Sequence, residues 1–253
     1  MKMKNNLKFK ISQALILAAG YGKRMQPLTL KTPKPLVKLL NKPLISYILD
    51  QLIINKINNC FINSHYLYKD INEYIKKFQK QNSSPKIFIS YEKDVLGTGG
   101  AIKNLDNVIM DEPLLVLNGD SIIFKTTSLN PLEELIFNFK AKKMDALLLL
   151  DDYKNSIGYE GKGDFIFENR NLPSTIYREP NIMKNSYAFT GWQILNPKLL
   201  NNINKDKFSL NHFYDKAIDN KRLWAIKNKN KWVHIGTIQA LKQSEEWLKK
   251  IRK

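Results

Sequence analysis

Short, wholly apolar runs alternate along this chain with longer stretches in which apolar residues recur every three or four positions. Gln13 to Ala18 is the first run; it ends at Gly20-Tyr21-Gly22 and reads as a buried strand entering a glycine loop. Leu44, Ile48 and Leu52, flanked by Ile45, Leu49 and Ile53, make a helix face, followed by a strand at Cys60 to Ile62. Ile71, Tyr74, Ile75 and Phe78 predict a second helix, and Ile87 to Tyr91 a strand. Gly99 to Leu105 reads as a short helix, Leu114 to Leu117 as a strand, Leu132 to Phe139 as a helix and Ala146 to Leu150 as a buried strand. Apolar strands alternating with helices predict an α/β fold whose mostly parallel sheet is covered by helices on both faces.

The pattern changes over 151–195. Gly158, Gly161 and Gly163 break the chain, and Phe165 to Phe167 and Tyr187 to Leu195 read as strands without long helices between them. This stretch is expected to be a small antiparallel section laid over the sheet as a lid. Thr237 to Lys253 begins with a capping Thr and carries Ala240, Leu241, Trp247, Leu248 and Ile251 at helical spacing. No repeat or low-complexity linker is visible, so 11–253 is expected to be a single domain behind a basic arm, 1–10.

The 253 residues are 43% hydrophobic and 25% charged, a globular composition that excludes disorder, collagen and a disulfide scaffold. Cys60 has no second cysteine to pair with, which points to a reducing, cytoplasmic setting. Lys2, Lys4, Lys8 and Lys10 ahead of an apolar run imitate a signal peptide, but Ser12 and Gln13 interrupt it. About six apolar residues remain where a secretory core needs about seven to fifteen, and no window reaches the ~20 of a membrane span. Lys and Arg number 41 against 23 acidic residues, net +18. The excess is mostly Lys, spread among many Asn and Ile residues, whereas bidentate phosphate forks and base readout favour Arg. A solvated lysine surface is therefore expected, with neither nucleic acid nor membrane as partner.

In open α/β sheets ligands bind beyond the carboxyl ends of the strands, and three loops there carry chemistry. The first is Gly20-Tyr21-Gly22-Lys23-Arg24-Met25, followed by Pro27-Leu28-Thr29 and Pro33-Lys34-Pro35-Leu36. Glycines after a strand let backbone N–H groups approach a phosphate, and Lys23, Arg24 and Lys34 neutralise its charge, which makes a polyphosphate cradle. It lacks the Gly-Lys-Ser/Thr ending of a Walker A loop and the third glycine of a dinucleotide fingerprint. Prolines on both sides of Lys34 fix the direction in which that charge points. The second loop, Leu96-Gly97-Thr98-Gly99-Gly100-Ala101, is open enough to take a flat ring against its backbone; the plainer reading is a helix start capped by Thr98. The third, Asn118-Gly119-Asp120, puts a carboxylate at a strand end, where it is a natural Mg2+ ligand together with substrate phosphates.

Together these segments resemble the sugar-1-phosphate nucleotidyltransferases, over most of the chain from Leu15 to about Leu241. The matching pieces are Gly20, Gly22, Arg24, Pro27 to Thr29, Pro33 to Leu36, Gly97 to Ala101, Asn118-Gly119-Asp120, Thr190-Gly191 and Trp232 to Thr237, in the family's order. The resemblance implies a Rossmann-like, mostly parallel mixed sheet with a small antiparallel sugar-side section. It also implies attack by a sugar-1-phosphate oxygen on the α-phosphorus of a nucleoside triphosphate, with release of pyrophosphate. Arg24, Lys34 and Asp120 would be catalytic, Asp120 holding Mg2+, with Mn2+ as the alternative. Leu17, Ala18, Ala19, Gly20, Gly22, Lys23, Gly97, Thr98, Gly99, Gly100 and Asn118 would face the nucleotide. Glu92, Gly158, Asp164, Arg178, Thr190 and Gly191 would face the sugar phosphate.

The family's Trp-x-Asp-x-Gly-Thr pattern supplies a second metal carboxylate, and here that position is His234, an imidazole better suited to transition metals than to Mg2+. The Glu-Lys-Pro signature of thymidylyltransferases is replaced by Arg178-Glu179-Pro180, and no repeat extension of the bifunctional members follows. Asn63-Ser64-His65-Tyr66-Leu67 and Gly161-Lys162-Gly163-Asp164-Phe165 look most like the short N-acetylmuramate 1-phosphate uridylyltransferases of peptidoglycan recycling. Mannose-1-phosphate guanylyl transfer, glucose-1-phosphate thymidylyl transfer and a non-catalytic sugar-nucleotide-binding relative are the alternatives.

Overall fold

The computed structural model describes residues 11–109, 112–179, 186–200 and 203–251. The arm expected at 1–10, Pro180 and the last two residues of the helix expected over 237–253 lie outside them. The chain opens with β1 (Gln13–Leu17), three tight 3-10 turns, and the short strands β2 (Lys38–Leu39) and β3 (Lys42–Pro43). There follow α1 (Leu44–Ile54), β4 (Asn59–Ser64), α2 (Tyr68–Gln81), β5 (Lys86–Tyr91), α3 (Gly97–Lys103) and β6 (Leu114–Asn118). Next come β7 (Ser121–Phe124), α4 (Pro131–Asn138), β8 (Ala146–Asp151), β9 (Ile166–Phe167), β10 (Ser174–Tyr177) and β11 (Ala188–Leu195). The chain ends with α5 (Asn211–Asp219), β12 (Leu223–Lys227), β13 (Lys231–His234) and α6 (Ile238–Ile251).

Among the described residues, nine strands form one sheet in the order β5-β4-β1-β6-β11-β8-β12-β10-β9. β5, β4, β1 and β6 are parallel, and β8 and β12 run the same way; β11 enters antiparallel between β6 and β8. The antiparallel section expected over 151–195 therefore divides. β9 and β10 form a hairpin that extends the sheet's far edge, whereas β11 is the central strand. An eight-residue strand buried along nearly its whole length belongs inside a sheet covered on both faces rather than in a lid.

Alternation along β1 assigns the two faces. Ala14 and Ile16 join a core with Ile45, Ile48 and Leu52 of α1, Ile71 and Ile75 of α2, and Leu132 and Leu135 of α4. Leu15 packs on the opposite face with Ile102 of α3 and Phe213, Tyr214 and Ala217 of α5. A separate ribbon pairs β7 with β13, takes Ile157 onto its other edge, and packs Ile122, Val233 and Ile235 against Leu241 and Leu248 of α6. Helix starts follow capping chemistry. The Asn130 side chain accepts from the amides of Leu132 and Glu133 ahead of α4, and Thr237 Oγ1 accepts from Ala240 N at 3.1 Å ahead of α6. No helix among the described residues is long and apolar enough to cross a membrane.

β8 ends on a carboxylate with little solvent. Asp151 is 5% exposed and accepts from Asn228 Nδ2 at 2.5 Å. Burial pushes its carboxyl up to about 6, and the nearby Asp152 adds to the rise, against the Asn228 amide and the ammonium groups of Lys231 and Lys227. A carboxyl whose folded pKa exceeds its unfolded one binds more protons in the folded state, so stability falls as pH rises from about 4 to about 6 and the cost persists above. Asp151→Asn keeps an acceptor for Asn228 and is expected to raise stability at pH 7.5 by up to about 3 kcal/mol, with the difference disappearing at about pH 4. Urea unfolding of both proteins at the two pH values measures this.

Candidate active site

The carboxyl ends of β1 and β6 meet where the sheet's connections diverge. Gly119 N donates to Leu17 O at 3.0 Å, and a Cβ on Gly119 would lie 2.8 Å from that oxygen, so the turn after β6 lies directly on the end of β1. The loop leaving β1 bends at Gly22, whose left-handed φ of +65° favours glycine and where a Cβ would stand 2.9 Å from Thr29 Cγ2. Thr29 closes this bend by donating to Gly22 O at 2.8 Å, while the fully buried Met25 anchors the loop in the core. Downstream, Leu36 N donates to Pro33 O at 2.8 Å, making the turn that aims Lys34 inward.

Lys34 Nζ lies 2.5 Å from Asp120 Oδ2, with only 14% and 22% of the two side chains exposed. Asp120 is held from behind. The buried Ser121 hydroxyl bonds to the Thr190 carbonyl and accepts from Trp232 Nε1 at 2.9 Å, while Trp192 Nε1 donates to Ser121 O at 3.2 Å. Ile235 N donates to Asp120 O at 2.9 Å, which brings the end of β13 alongside. There Gly236 leaves room for two side chains at once: a Cβ on it would stand 2.9 Å from His234 Nε2 and 3.2 Å from Arg24 Nη2. Arg24, Lys34, Asp120 and His234, from four separate segments, therefore surround one place.

Burial works to raise the Asp120 carboxyl, but the charge and hydrogen bond of Lys34, joined by His234 where that ring is protonated, outweigh it and hold it below the usual carboxylate range. Burial lowers the His234 imidazole, Lys34 and Arg24 push the same way, and Asp120 only partly opposes them. At neutral pH the cluster thus has two cations, one carboxylate and a neutral ring, an arrangement that attracts a phosphate chain. Among the described residues no group of three or more His, Cys, Asp or Glu could hold a metal ion. A hard cation here would depend on Asp120 plus oxygens of a bound phosphate, which suits Mg2+.

The remaining expected residues fall into two neighbourhoods. Ala18 N donates to Asn63 Oδ1 at 2.7 Å, Asn63 Nδ2 to Glu92 Oε1 at 2.8 Å, and Leu96 N to Glu92 Oε2 at 3.0 Å. Glu92, expected on the sugar side, is instead buried beside Ala18 and the start of α3, because β5 and β4 end together next to β1. Ala19 is buried, Gly20 is open, and Lys23 is exposed. On the other side, Gly191 (φ +81°) lies in the irregular part of β11 against Asn118, whose Nδ2 would be 2.5 Å from a Cβ there. Asp164 Oδ2 accepts from Phe189 N at 2.8 Å and from the Tyr159 hydroxyl at 3.2 Å, tying the 161–165 turn to β11. Gly158 (φ +77°) is pressed against the backbone of His234, 2.3 Å from where a Cβ would be.

Four further expectations change. Thr98 is not the cap of α3; its hydroxyl accepts from Leu210 N at 2.9 Å, holding the 206–210 segment down. Gly99 and Gly100 offer no open face to a flat ring: both amides donate to Phe208 O, and added Cβ atoms would stand 2.2 Å from the Phe208 ring and from Asp206 O. Gly97 (φ +77°) is likewise crowded by Phe208 O at 2.7 Å. Arg178 is committed to α5, with Nη1 2.6 Å from Asp215 Oδ1, Nη2 2.8 Å from Asn211 Oδ1 and its guanidinium over the Phe165 ring. The Thr190 hydroxyl, donated to Leu149 O at 2.8 Å, is also spent inside the fold. Sequence reasoning missed the Ser121 lock and the Asn63 bridge; a serine directly after Asp120 and an asparagine at a strand end were the available signals.

Residues 13–250 match the nucleotidyl transferase family. The chain is 27% identical over 228 residues to the N-acetylmuramate alpha-1-phosphate uridylyltransferase of Caulobacter vibrioides, covering 90% of this chain and 93% of that one. It is also 27% identical over 228 residues to the mannose-1-phosphate guanylyltransferase catalytic subunit beta of Xenopus tropicalis, covering 88% of this chain and 61% of that longer protein. The structure of a UDP-glucose pyrophosphorylase complexed with UDP-glucose superposes with a TM-score of 0.77 at 18% identity, over 96% of this chain and all of that one, a likeness of fold.

If the α3 glycines are a seat for the 206–210 segment, Gly100→Ala destabilises the protein by about 1–3 kcal/mol through backbone displacement. A lowered urea midpoint with unchanged slope is the expected result.

Proposed function

The chain belongs to the nucleotidyl transferase family, and from that premise we propose that it transfers a uridylyl group from UTP to N-acetylmuramate 1-phosphate. It is a sugar-1-phosphate nucleotidyltransferase. The observation that carries the mechanism is the Lys34–Asp120 pair beside Arg24 and His234. The choice of substrates is supported by Gly161 to Phe165 and by the Caulobacter relative.

A phosphate oxygen of the sugar 1-phosphate forms a bond to the α-phosphorus of the triphosphate. The bond from that phosphorus to the bridging oxygen breaks, and pyrophosphate leaves with the electron pair. Arg24 and Lys34 cover the negative charge on the phosphoryl oxygens, and their prior placement removes the cost of reorienting dipoles during the step. A Mg2+ ion held by Asp120, phosphate oxygens and water would supply further charge neutralisation. Leu17 to Gly20, Gly22, Lys23 and Asn118 border the nucleotide in this reading; Gly158, Asp164 and Gly191 border the sugar phosphate. No side-chain nucleophile is needed, and the buried Cys60, whose thiol burial pushes up, stays out of the chemistry.

Pyrophosphate release across UTP, GTP, dTTP and CTP against N-acetylmuramate, mannose, glucose and glucosamine 1-phosphates, each with Mg2+ and Mn2+, tests the reading. UTP with N-acetylmuramate 1-phosphate is the expected pair, and Asp120→Asn is expected to lower kcat by about 100-fold or more. Preference for GTP with mannose 1-phosphate would favour the activity of the Xenopus relative and replace the specificity. Silence in every combination despite nucleotide binding would leave a non-catalytic relative.

His234→Asp restores the family's second carboxylate and is expected to lower the Mg2+ concentration needed for half-maximal rate. An unchanged requirement, with unchanged activity, would remove His234 from the metal and phosphate region.

A further inference from the structure

The motif Asn63 to Leu67 takes no part in the transfer step, yet it stands at the end of β4 beside the loop that carries Lys23 and Arg24. That loop is secured at its far end by Met25 and Thr29. Its near end is bare: a Cβ on Gly20 would meet nothing within 4 Å, and Tyr21 is 45% exposed. The Tyr21 side chain makes the attachment. Its hydroxyl is 2.9 Å from His65 Nε2, and its ring meets that of His65 edge-on at 5.3 Å and that of Tyr66 at 5.7 Å. Lys23 Nζ lies over the same ring, 5.6 Å from its centroid.

His65 is itself fixed, with Nδ1 2.9 Å from the backbone oxygen of Glu92, whose carboxylate is bonded to Asn63 and Leu96 N. A backbone carbonyl only accepts, so the proton of the neutral ring sits on Nδ1 and Nε2 accepts from the Tyr21 hydroxyl. The carboxyl ends of β4 and β5 are thereby connected, through two side chains, to the ammonium group of Lys23.

We propose that His65 is a positioning residue for the nucleoside triphosphate: acting through Tyr21, it holds the start of the phosphate loop against β4 and aims Lys23 at the phosphates. The identity of the ligand rests on the nucleotidyl-transfer reading; the strap itself rests on geometry alone. Restraining a lysine and a glycine-flanked loop before binding removes an ordering cost that would otherwise fall on triphosphate affinity. The second substrate approaches from the β11 side and is indifferent to the strap.

The test uses the full-length protein with Tyr21→Phe, His65→Ala and the double variant. Each single variant is expected to raise KM for the triphosphate about tenfold, with kcat within about twofold, KM for the sugar 1-phosphate unchanged and the thermal midpoint preserved. The double variant is expected to be no worse than the poorer single one, because both remove one interaction. Hydrogen exchange at amides 20–24 should speed up in all three, with the rest of the chain unchanged. Wild-type KM in Tyr21→Phe, additive penalties in the double variant, or a lowered midpoint without a KM change would overturn the proposal. Exchange needs no turnover: if wild-type protein transfers no nucleotide to any acceptor, the transfer reading falls, whereas unaltered exchange at 20–24 in Tyr21→Phe would sink the strap.

Discussion

A single buried hydroxyl sets the geometry of the site. Ser121 stands between two fully enclosed indoles, accepting from Trp232, receiving Trp192 at its carbonyl, and bonding in turn to the backbone of Thr190. These contacts join the strand after Asp120 to β11 and β13, which come from distant parts of the chain. A buried donor left unmade costs about 1–3 kcal/mol, so neither tryptophan can drift without leaving a polar atom unpaired. Asp120 inherits that rigidity from its neighbour, and the position of Lys34 follows from Asp120.

Around this fixed carboxylate the charges are unequal by design of the sequence. Arg24 and Lys34 outnumber Asp120, and His234 contributes a neutral ring because burial and the two cations lower its proton affinity. An aspartate in its place would have balanced the cluster to near zero net charge. The imidazole leaves the site cationic, which increases attraction for a phosphate chain while leaving fewer oxygen ligands for a metal.

Much of this was legible in the sequence, for identifiable reasons. β1, β4, β6 and β8 are buried on both faces, so their apolar runs stand out, and α1 and α2 show clear helical spacing. β7, β10, β12 and β13 were not read as strands: they have only four or five residues each, and Ser174, Thr175 and Lys231 interrupt their apolar character. α5 was missed as well, its buried residues being few and set among charged ones. Lys34 between two prolines and Asp120 behind a glycine at a strand end stood out because such placements are chemically distinctive, and Arg24 stood out as the second basic residue after the glycine bend. The glycines of α3 were misread for the same reason in reverse. Local sequence shows that side chains are absent there, but what fills the space is Phe208, about a hundred residues away.

The place of β11 in the sheet also governs the order in which the molecule can be completed as it leaves the ribosome. β1, β4, β5 and β6 have all their mutual partners within the first 118 residues and form a parallel half-sheet early. β8 emerges next with no neighbour, because both strands that flank it, β11 and β12, lie later in the chain. Until then its apolar faces are exposed in the nascent chain, the condition in which chaperone capture competes with folding. Closure of the sheet around β11 brings Thr190 to Ser121, so the turn that carries Asp120 takes its final shape only after the chain has been made past residue 195.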